Sequence, residues 1–187
     1  MIPDKTFRTE LHRTFLIEGL PEPLERKSPH LQIFDNYIHE TPLRLRSIRV
    51  PETKEWKLML QKRYLAGDHG AKWNIEEIQL TEAEYEHFKL FEGNEVRKNR
   101  YFAEFDGRAF EFDVYLGALW GLNRARVSFA DRDEMVSLVV PEFVVAEITD
   151  ESFFDDSNLV NQNLESVRRE VERLLGVSST FRTSTGE

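Results

Sequence analysis

The sequence contains no cysteine among its 187 residues. That absence excludes a disulfide framework and any metal site built on thiolates. The sequence also lacks the basic excess of a typical nucleic-acid-binding surface, since 34 acidic residues outnumber 25 basic ones and the formal charge is −9. We therefore expect no general nucleic-acid binding. The total charge does not fix the charge of an internal site, because one face can differ in sign from the whole chain.

Long apolar runs are also missing. The longest, "MVSLVVPEFVVAEI", is interrupted by Ser137, Pro141 and Glu142, and it is shorter than the roughly 18 residues that a membrane-spanning helix needs. The opening residues "MIPDKTFRTE" contain no apolar segment typical of a signal peptide. We therefore predict no membrane partner and a cytoplasmic location, which also suits the lack of cysteine.

Apolar side chains are nevertheless plentiful enough for a core, with 14 phenylalanines and 40% hydrophobic residues. The length favours one domain. We predict a single domain over residues 1–176 and a disordered tail over residues 177–187, because the polar segment "VSSTFRTSTGE" follows the last helical stripe.

Alternation of apolar and polar residues, which is typical of β-strands, recurs along the chain. It predicts strands at residues 7–18, 43–50, 55–64, 71–80, 95–105, 107–117, 122–130 and 143–150. Helices are fewer. They are predicted after Thr81, where Glu84 completes a capping box, and over the stripe that ends at Gly176, with a shorter one at 131–140 and a turn at 21–27.

About eight strands with few helices indicate an antiparallel α+β fold. The polar faces of these strands are unusually ionic, and two arrangements fit that pattern. In one, the sheet closes into a barrel with the ionic face inward and the apolar face outward beneath helices. In the other, the ionic face simply meets water, as charged faces usually do. Alternation alone does not separate the two.

The order of several motifs resembles the CYTH superfamily, the triphosphate tunnel metalloenzymes. The matching segments are "ELHRTFL", "LRLR", "RKNRYF", "FEFDVYLG" and "PEFVVAEITDESFFDDSNL". The resemblance implies an eight-stranded antiparallel closed β-barrel, or tunnel, that is lined with charges and flanked by helices. It also implies a divalent metal ion and activity on a triphosphate.

The chain departs from the family pattern at positions where the family carries chemistry. In the opening Glu-x-Glu-x-Lys motif, His12 replaces the second Glu and Thr14 replaces the Lys. Gln61 stands where a Lys is expected, and the late Glu-x-Glu strand reads Arg126-Val127-Ser128. A guanidinium can hold a phosphate, but it cannot lower the pKa of a bound water as a metal ion does.

If the ionic faces point inward, seven cations face a shared interior. The predicted phosphate-binding residues are Arg44, Arg46, Lys57, Lys98, Arg100, Arg124 and Arg126. Four acids, Glu10, Glu77, Glu111 and Asp113, share that interior, so seven less four leaves a charge of +3. A concave positive surface attracts anions, and guanidinium groups match phosphate oxygens in pairs.

Three of these acids are candidate ligands for Mg²⁺ or Mn²⁺, namely Glu10, Glu111 and Asp113, because Mg²⁺ needs only one or two carboxylates besides substrate phosphates. Glu10 and His12 are the candidate catalytic residues. His12 has two interpretations. It is a metal ligand or general base, or it forms a structural hydrogen bond with Glu10 or a neighbouring strand.

Three functions remain open from the sequence, and whether the chain is an enzyme is open with them. The first is a divergent Mg²⁺- or Mn²⁺-dependent triphosphate phosphohydrolase. The second is a non-catalytic protein that binds a nucleotide, polyphosphate or other polyanion. The third is a tunnel adapted to another phosphorylated substrate. The sequence does not fix the oligomeric state, although an apolar outer face that helices do not fully cover could pair with a second copy as a homodimer.

Overall fold

The computed structural model describes residues 5–67, 70–91 and 93–176. The tail at 177–187, for which disorder is predicted, lies outside the described residues. The division of the chain into a single domain stays a prediction.

The described residues form one sheet of nine strands. Their bounds are β1 (Lys5–Ile17), β2 (His30–Tyr37), β3 (Leu43–Arg49), β4 (Trp56–Leu65), β5 (Lys72–Gln79), β6 (Asn94–Phe105), β7 (Arg108–Tyr115), β8 (Asn123–Phe129) and β9 (Val144–Glu147). Eight of them close into an antiparallel barrel in the order β1-β5-β4-β3-β2-β6-β7-β8, because β5 and β8 both pair with β1. The predicted eight-stranded closed barrel is confirmed.

The eight strands of the barrel are not the eight that alternation predicted. β2 was missed, because it carries Ile33 on one face and Phe34 on the other and so shows no clean period of two. The predicted strand at 143–150 is the short β9, which pairs with the last residues of β1 beyond the part that pairs with β5. β9 is therefore outside the ring.

Four α-helices flank the barrel in the described part of the chain. They are α1 (Glu82–Phe88), α2 (Arg132–Val136), α3 (Asp156–Leu159) and α4 (Leu164–Leu175). The predicted capping box of Thr81 and Glu84 is present, and α4 ends at Gly176 with a φ of 66°, which favours glycine. α2 is shorter than predicted, and residues 21–27 form turns without a helix. No helix among the described residues is long and apolar enough to cross a membrane.

The outer face of β1, β6, β7 and β8 carries an aromatic core. Its buried members are Phe15, Ile17, Tyr101, Phe110, Phe112, Ala125, Val127 and Phe129. Met135 of α2 and Phe143, just before β9, pack against it. The apolar side chains of these strands thus point outward, so the opposite, ionic side chains point into the barrel. Of the two arrangements, the inward ionic face is the one that forms.

One end of the barrel interior is filled by a second apolar cluster. Inward-facing Leu16, Val96 and Tyr115 are buried at that end of β1, β6 and β7. They form one cluster with Leu159 of α3 and Val167 of α4. We call this cluster the apolar plug. It leaves the polar part of the interior toward the opposite end, where β1 begins.

Candidate anion-binding tunnel

A cavity of about 160 Å³ lies inside the barrel, and charged side chains dominate its wall. Eight of them are cationic: Arg8, Arg44, Arg46, Arg63, Lys98, Arg100, Arg124 and Arg126. Five are acidic: Glu10, Glu111, Asp113, Asp155 and Asp156. Eight less five gives a lining of +3, inside a chain whose formal charge is −9. Such a concave positive surface concentrates anions.

Ten of the eleven predicted site residues line this cavity. The exception is Lys57, which is exposed and does not line the cavity. It shares its parity along β4 with buried Met59 and Gln61, but as the second residue of the strand it lies at the barrel rim. The alternation of residues correctly predicted which face of β4 carries Lys57. It could not show how far into the barrel that position lies.

Several charged residues of the site were not predicted. Arg8, Arg63, Asp155 and Asp156 line the cavity, and Asp35 is fully buried behind it. Arg63 could have been found, because it has the same parity as Gln61. Asp35 lies on the unrecognised β2, and Asp155 and Asp156 lie where α3 begins, in a segment without strand periodicity.

The cations on β6 and β8 are bound to acids of the protein itself. We call Lys98, Arg100, Asp113, Arg124 and Asp156 the paired wall. Lys98 Nζ lies 2.9 Å from Asp113 Oδ2 and 2.6 Å from Asp156 Oδ2. Arg100 donates two hydrogen bonds to the Asp113 carboxylate, at 2.6 and 2.8 Å, and Arg124 Nη2 lies 2.7 Å from Asp156 Oδ1.

These contacts govern the protonation of the paired wall. Burial alone raises the pKa of Asp113, but the charges of Arg100 and Lys98 outweigh it and hold the pKa well below its usual range. The pKa of Asp156 is lowered in the same way, by Arg124 and Lys98 against burial. Both carboxylates are therefore ionised, and they neutralise the cations around them.

A second set of paired charges lies on β2 and β3. Arg46 donates to both oxygens of Asp35, at 2.5 and 2.6 Å, and Arg44 Nη1 lies 3.3 Å from Asp35 Oδ2. Burial works to raise the pKa of Asp35, yet Arg44 and Arg46 bring it down to about 2. Arg44 also donates to Gln61 Oε1 at 2.8 Å. Both arginines are thus fixed in place by the barrel.

Arg63 differs from these cations, because its guanidinium group forms no hydrogen bond or ion pair with any described residue. Its guanidinium carbon lies 3.7 Å from the centroid of the Trp73 ring. Burial lowers the pKa of Arg63, and repulsion by Arg44 and Arg126 lowers it further, to about 10. Stacking on an aromatic face holds a guanidinium while leaving its N–H donors free.

The stacking platform of Arg63 is itself held by a close backbone contact. The Trp73 indole N–H donates to the carbonyl oxygen of Gly70 at 2.6 Å. Gly70 in turn approaches the segment that follows β9 so closely that an added Cβ would lie 2.0 Å from the carbonyl oxygen of Thr149. Only glycine fits there, so this turn positions Trp73 and through it Arg63.

Two buried polar atoms on β1 have no hydrogen-bond partner, namely Glu10 Oε2 and His12 Nδ1. Burial and, to a lesser extent, the charges of Arg126 and Arg63 together lower the pKa of His12 to about 2, so the imidazole is neutral. The structural hydrogen bond that was one interpretation of His12 is not formed by its Nδ1. Both side chains line the cavity.

Arg126 on β8 contacts acids on both of the strands that flank β8 in the sheet. Its Nε and Nη2 donate to Glu111 Oε2 at 2.9 and 2.6 Å, and its Nη1 lies 3.5 Å from Glu10 Oε2. Arg100 Nη1 lies 2.7 Å from the same Glu111 oxygen. Burial works to raise the pKa of Glu111, but Arg100 and Arg126 lower it below its usual range.

Comparison with known proteins bears on this site. No family model matches the chain. An inorganic triphosphatase of Nitrosomonas europaea is 27% identical over 159 residues, which cover 81% of this chain and 96% of that protein. The sequence relationship therefore extends over nearly the whole length of that relative.

Two solved structures share the barrel. The crystal structure of the hypothetical protein NE1496 has a TM-score of 0.58 at 22% identity and covers 82% of this chain and 99% of that one. The structure of the inorganic triphosphatase NE1496 has a TM-score of 0.57 at 23% identity, with 82% and 95% covered. The predicted resemblance to the CYTH superfamily is confirmed by this relative and these two structures. At these identities, the structural likeness establishes the tunnel fold and leaves the chemistry to this chain's own residues.

The divalent metal ion implied by the CYTH resemblance was predicted at Glu10, Glu111 and Asp113. Among the described residues, no group of three or more His, Asp or Glu is arranged to hold a metal ion. Both oxygens of Asp113 accept from Arg100, and Glu111 Oε2 accepts from Arg126. Glu10 Oε1 likewise accepts from Arg8. Because guanidinium groups hold at least one oxygen of each acid, the three acids do not fit the predicted metal site.

Proposed function

We propose that this CYTH-like protein binds a small polyphosphate anion of the triphosphate class inside its tunnel. The observation that carries the proposal is Arg63, a cation in an already positive cavity that forms no direct ion pair with any described residue, although Asp155 acts on it from a greater distance. The related Nitrosomonas europaea protein is called an inorganic triphosphatase, which supports the same class of ligand.

The half-buried charge of Arg63 costs free energy unless a ligand supplies the paired negative charge that the described residues do not. Buried charges in proteins are normally paired, because removing an ion from water without compensation is expensive. A phosphate oxygen would supply the missing acceptor, and its negative charge would offset the repulsion from Arg44 and Arg126. Arg124 Nε, which is buried without a hydrogen-bond partner, offers a second donor in the same cavity.

The character of the wall favours an inorganic ligand over a nucleotide. Among the described residues of the lining, only Ile75, Ile148 and Phe154 have large apolar side chains. A nucleotide base needs apolar or aromatic surface, whereas a chain of phosphates needs cations and hydrogen-bond donors along its length. We therefore rank inorganic triphosphate above the nucleotide that the sequence left open.

Isothermal titration calorimetry with tripolyphosphate, pyrophosphate and orthophosphate tests the proposal. We expect tripolyphosphate to bind most tightly, because it presents the most negative charge to the lining. Arg63→Gln should weaken its binding roughly 10- to 100-fold, the usual value of a hydrogen bond between charged groups. The matched control is Lys62→Gln, since Lys62 is the adjacent cation of β4 and is exposed. Equal affinity in wild type and Arg63→Gln would contradict the proposal.

A second candidate function is hydrolysis of the bound triphosphate, and the name of the relative favours it. Fixed cations can accelerate phosphoryl transfer by positioning the phosphates and neutralising their charge. Of the two predicted catalytic residues, His12 is a poor general base, because a pKa of about 2 is far from neutral pH. Glu10 keeps one oxygen without a hydrogen bond, Oε2, that could orient a water molecule.

Phosphate release separates the two functions. Tripolyphosphate, ATP and thiamine triphosphate should each be incubated with the protein in EDTA, in Mg²⁺ and in Mn²⁺. Release that Glu10→Gln abolishes would support hydrolysis. Binding without release in any condition would leave the chain as a polyanion-binding protein. The cytoplasmic location and the homodimer stay predictions.

A further inference from the structure

Arg126 occupies the space between two acids that approach the cavity from different strands. β8 lies between β7, which carries Glu111, and β1, which carries Glu10. The guanidinium touches both, at 2.6 Å from Glu111 Oε2 and 3.5 Å from Glu10 Oε2. A positive group that bridges two carboxylates at a phosphate-binding cavity has the place that a divalent cation could otherwise take.

We infer that Arg126 is a built-in counter-charge, and that polyphosphate binding in this tunnel therefore does not depend on a divalent metal ion. This inference rests on the proposed function, since it concerns how the same ligand is held.

The donor atoms near Arg126 support the inference. Glu111 Oε2 is shared by Arg126 and Arg100, so a metal ion would have to displace two guanidinium groups to reach it. Glu10 Oε1 accepts from Arg8 at 3.0 Å. Glu10 Oε2 has no hydrogen bond, but the guanidinium of Arg126 lies 3.5 Å away and would repel a divalent ion there.

The charge of the whole lining points the same way. A divalent ion would enter a wall that already carries +3, whereas a metal-free polyphosphate would neutralise it. Arg126 can also pair with a carboxylate on one edge while other N–H groups remain for a phosphate, because its five donors form a planar fork. Metal bound to the ligand in solution would lower the ligand's negative charge and weaken its attraction to the tunnel.

The first test compares tripolyphosphate binding to the wild-type protein in EDTA with binding in MgCl₂ and in MnCl₂, by calorimetry at fixed ionic strength. We expect binding in EDTA that is at least as tight as binding with either metal ion. Binding that is tenfold or more tighter with metal would overturn the inference and leave the proposed function intact. Absence of binding in every condition would overturn the proposed function, and this inference with it.

The second test places a carboxylate where the guanidinium stands. Arg126→Glu should bind tripolyphosphate at least tenfold more weakly in EDTA and should recover part of that loss in MnCl₂. It should also bind Mn²⁺ alone, measured by loss of the free-ion electron paramagnetic resonance signal, whereas the wild type should leave that signal unchanged. The control Arg169→Glu makes the same charge change on the exposed surface of α4.

Far-ultraviolet circular dichroism shows whether Arg126→Glu folds. If it does not, Arg126→Gln replaces it, and a tenfold loss of tripolyphosphate affinity in EDTA is again expected. Wild-type affinity of either folded variant in EDTA would overturn the inference, because Arg126 would then not supply the counter-charge.

Discussion

The paired wall and Arg63 are both cationic parts of one cavity, yet they are held in opposite ways. Lys98 and Arg100 contact acids of the barrel at 2.6–2.9 Å. Arg63 rests on the ring of Trp73 and contacts no acid among the described residues. Cations that have their own counter-ions stabilise the barrel, whereas a cation without one is left for a ligand. Charge alone therefore does not mark a binding residue; the absence of an internal partner does.

Breaking the paired wall should give the largest effect. In Asp113→Asn, Lys98 and Arg100 would lose one of the two carboxylates that compensate the burial of each, and removal of a buried partner typically costs about 3–5 kcal/mol of stability. Urea unfolding followed by circular dichroism measures this loss. The control is Glu104→Gln, an exposed acid on β6. A loss below about 1 kcal/mol would mean that the pairs of this wall do not hold the fold.

The stability of the protein should fall in acid because of His12, whose imidazole is buried and neutral in the cavity wall. The pKa of His12 is about 2 in the folded protein and about 6.5 when unfolded, so the unfolded state binds more protons between these values. Stability is then fully present above pH 6.5 and falls as the pH drops, by up to about 1.4 kcal/mol for each pH unit.

His12→Gln should remove that part of the acid sensitivity, because glutamine does not titrate. Urea unfolding at pH 7, 6 and 5 measures the slope, and His87→Gln on α1 is the control. Parallel pH profiles for His12→Gln and wild type would argue against a buried neutral His12.

Removing Arg63 should leave stability nearly unchanged while it weakens ligand binding. Arg63→Met deletes a desolvated charge without leaving an acid unpaired, so the free energy of unfolding should stay within about 1 kcal/mol of wild type or rise. Arg100→Met is the contrasting variant, since it strips Asp113 of a partner and should destabilise the barrel by several-fold more. Equal losses of stability in Arg63→Met and Arg100→Met would contradict the proposed difference between Arg63 and the paired wall.

Substitution of Asp155 should give the smallest effect, and it should raise stability instead of lowering it. Its carboxylate lines the cavity, and burial raises its pKa although Arg63 and Arg124 oppose the shift. The folded state therefore holds the proton more tightly, and stability falls as the pH rises through the shifted range. Asp155→Asn should raise both stability at pH 7 and tripolyphosphate affinity, by about 0.2–1 kcal/mol each. Weaker binding of the ligand to Asp155→Asn would show that the carboxylate helps to hold it.

The sequence predicted the barrel wherever a strand had one apolar and one ionic face. In β7 the pair Phe110 and Phe112 alternates with Glu111 and Asp113, so both the strand and its facing residues were found. β2 escaped because apolar side chains occupy both of its faces, and Asp35 escaped with it. Alternation also could not say which face is inside, since that depends on closure of the sheet between β1 and β5.

The pairing of charges was beyond the sequence for a different reason. Asp156 belongs to α3, far along the chain from Lys98, and only the fold brings their atoms to 2.6 Å. The free state of Arg63 likewise depends on Trp73, which lies on the neighbouring strand. Parity counted charges on a face, but it could not show which of them neutralise one another.

The apolar plug has a consequence for traffic through the tunnel. Because Leu16, Val96 and Tyr115 fill one end of the barrel, we expect a ligand to enter and leave by the end where Arg8 lies. A chain longer than the cavity would then insert one terminus and leave the rest in solvent. We therefore expect the tunnel to bind the end of a polyphosphate chain, because a chain cannot pass through a barrel that is closed at one end.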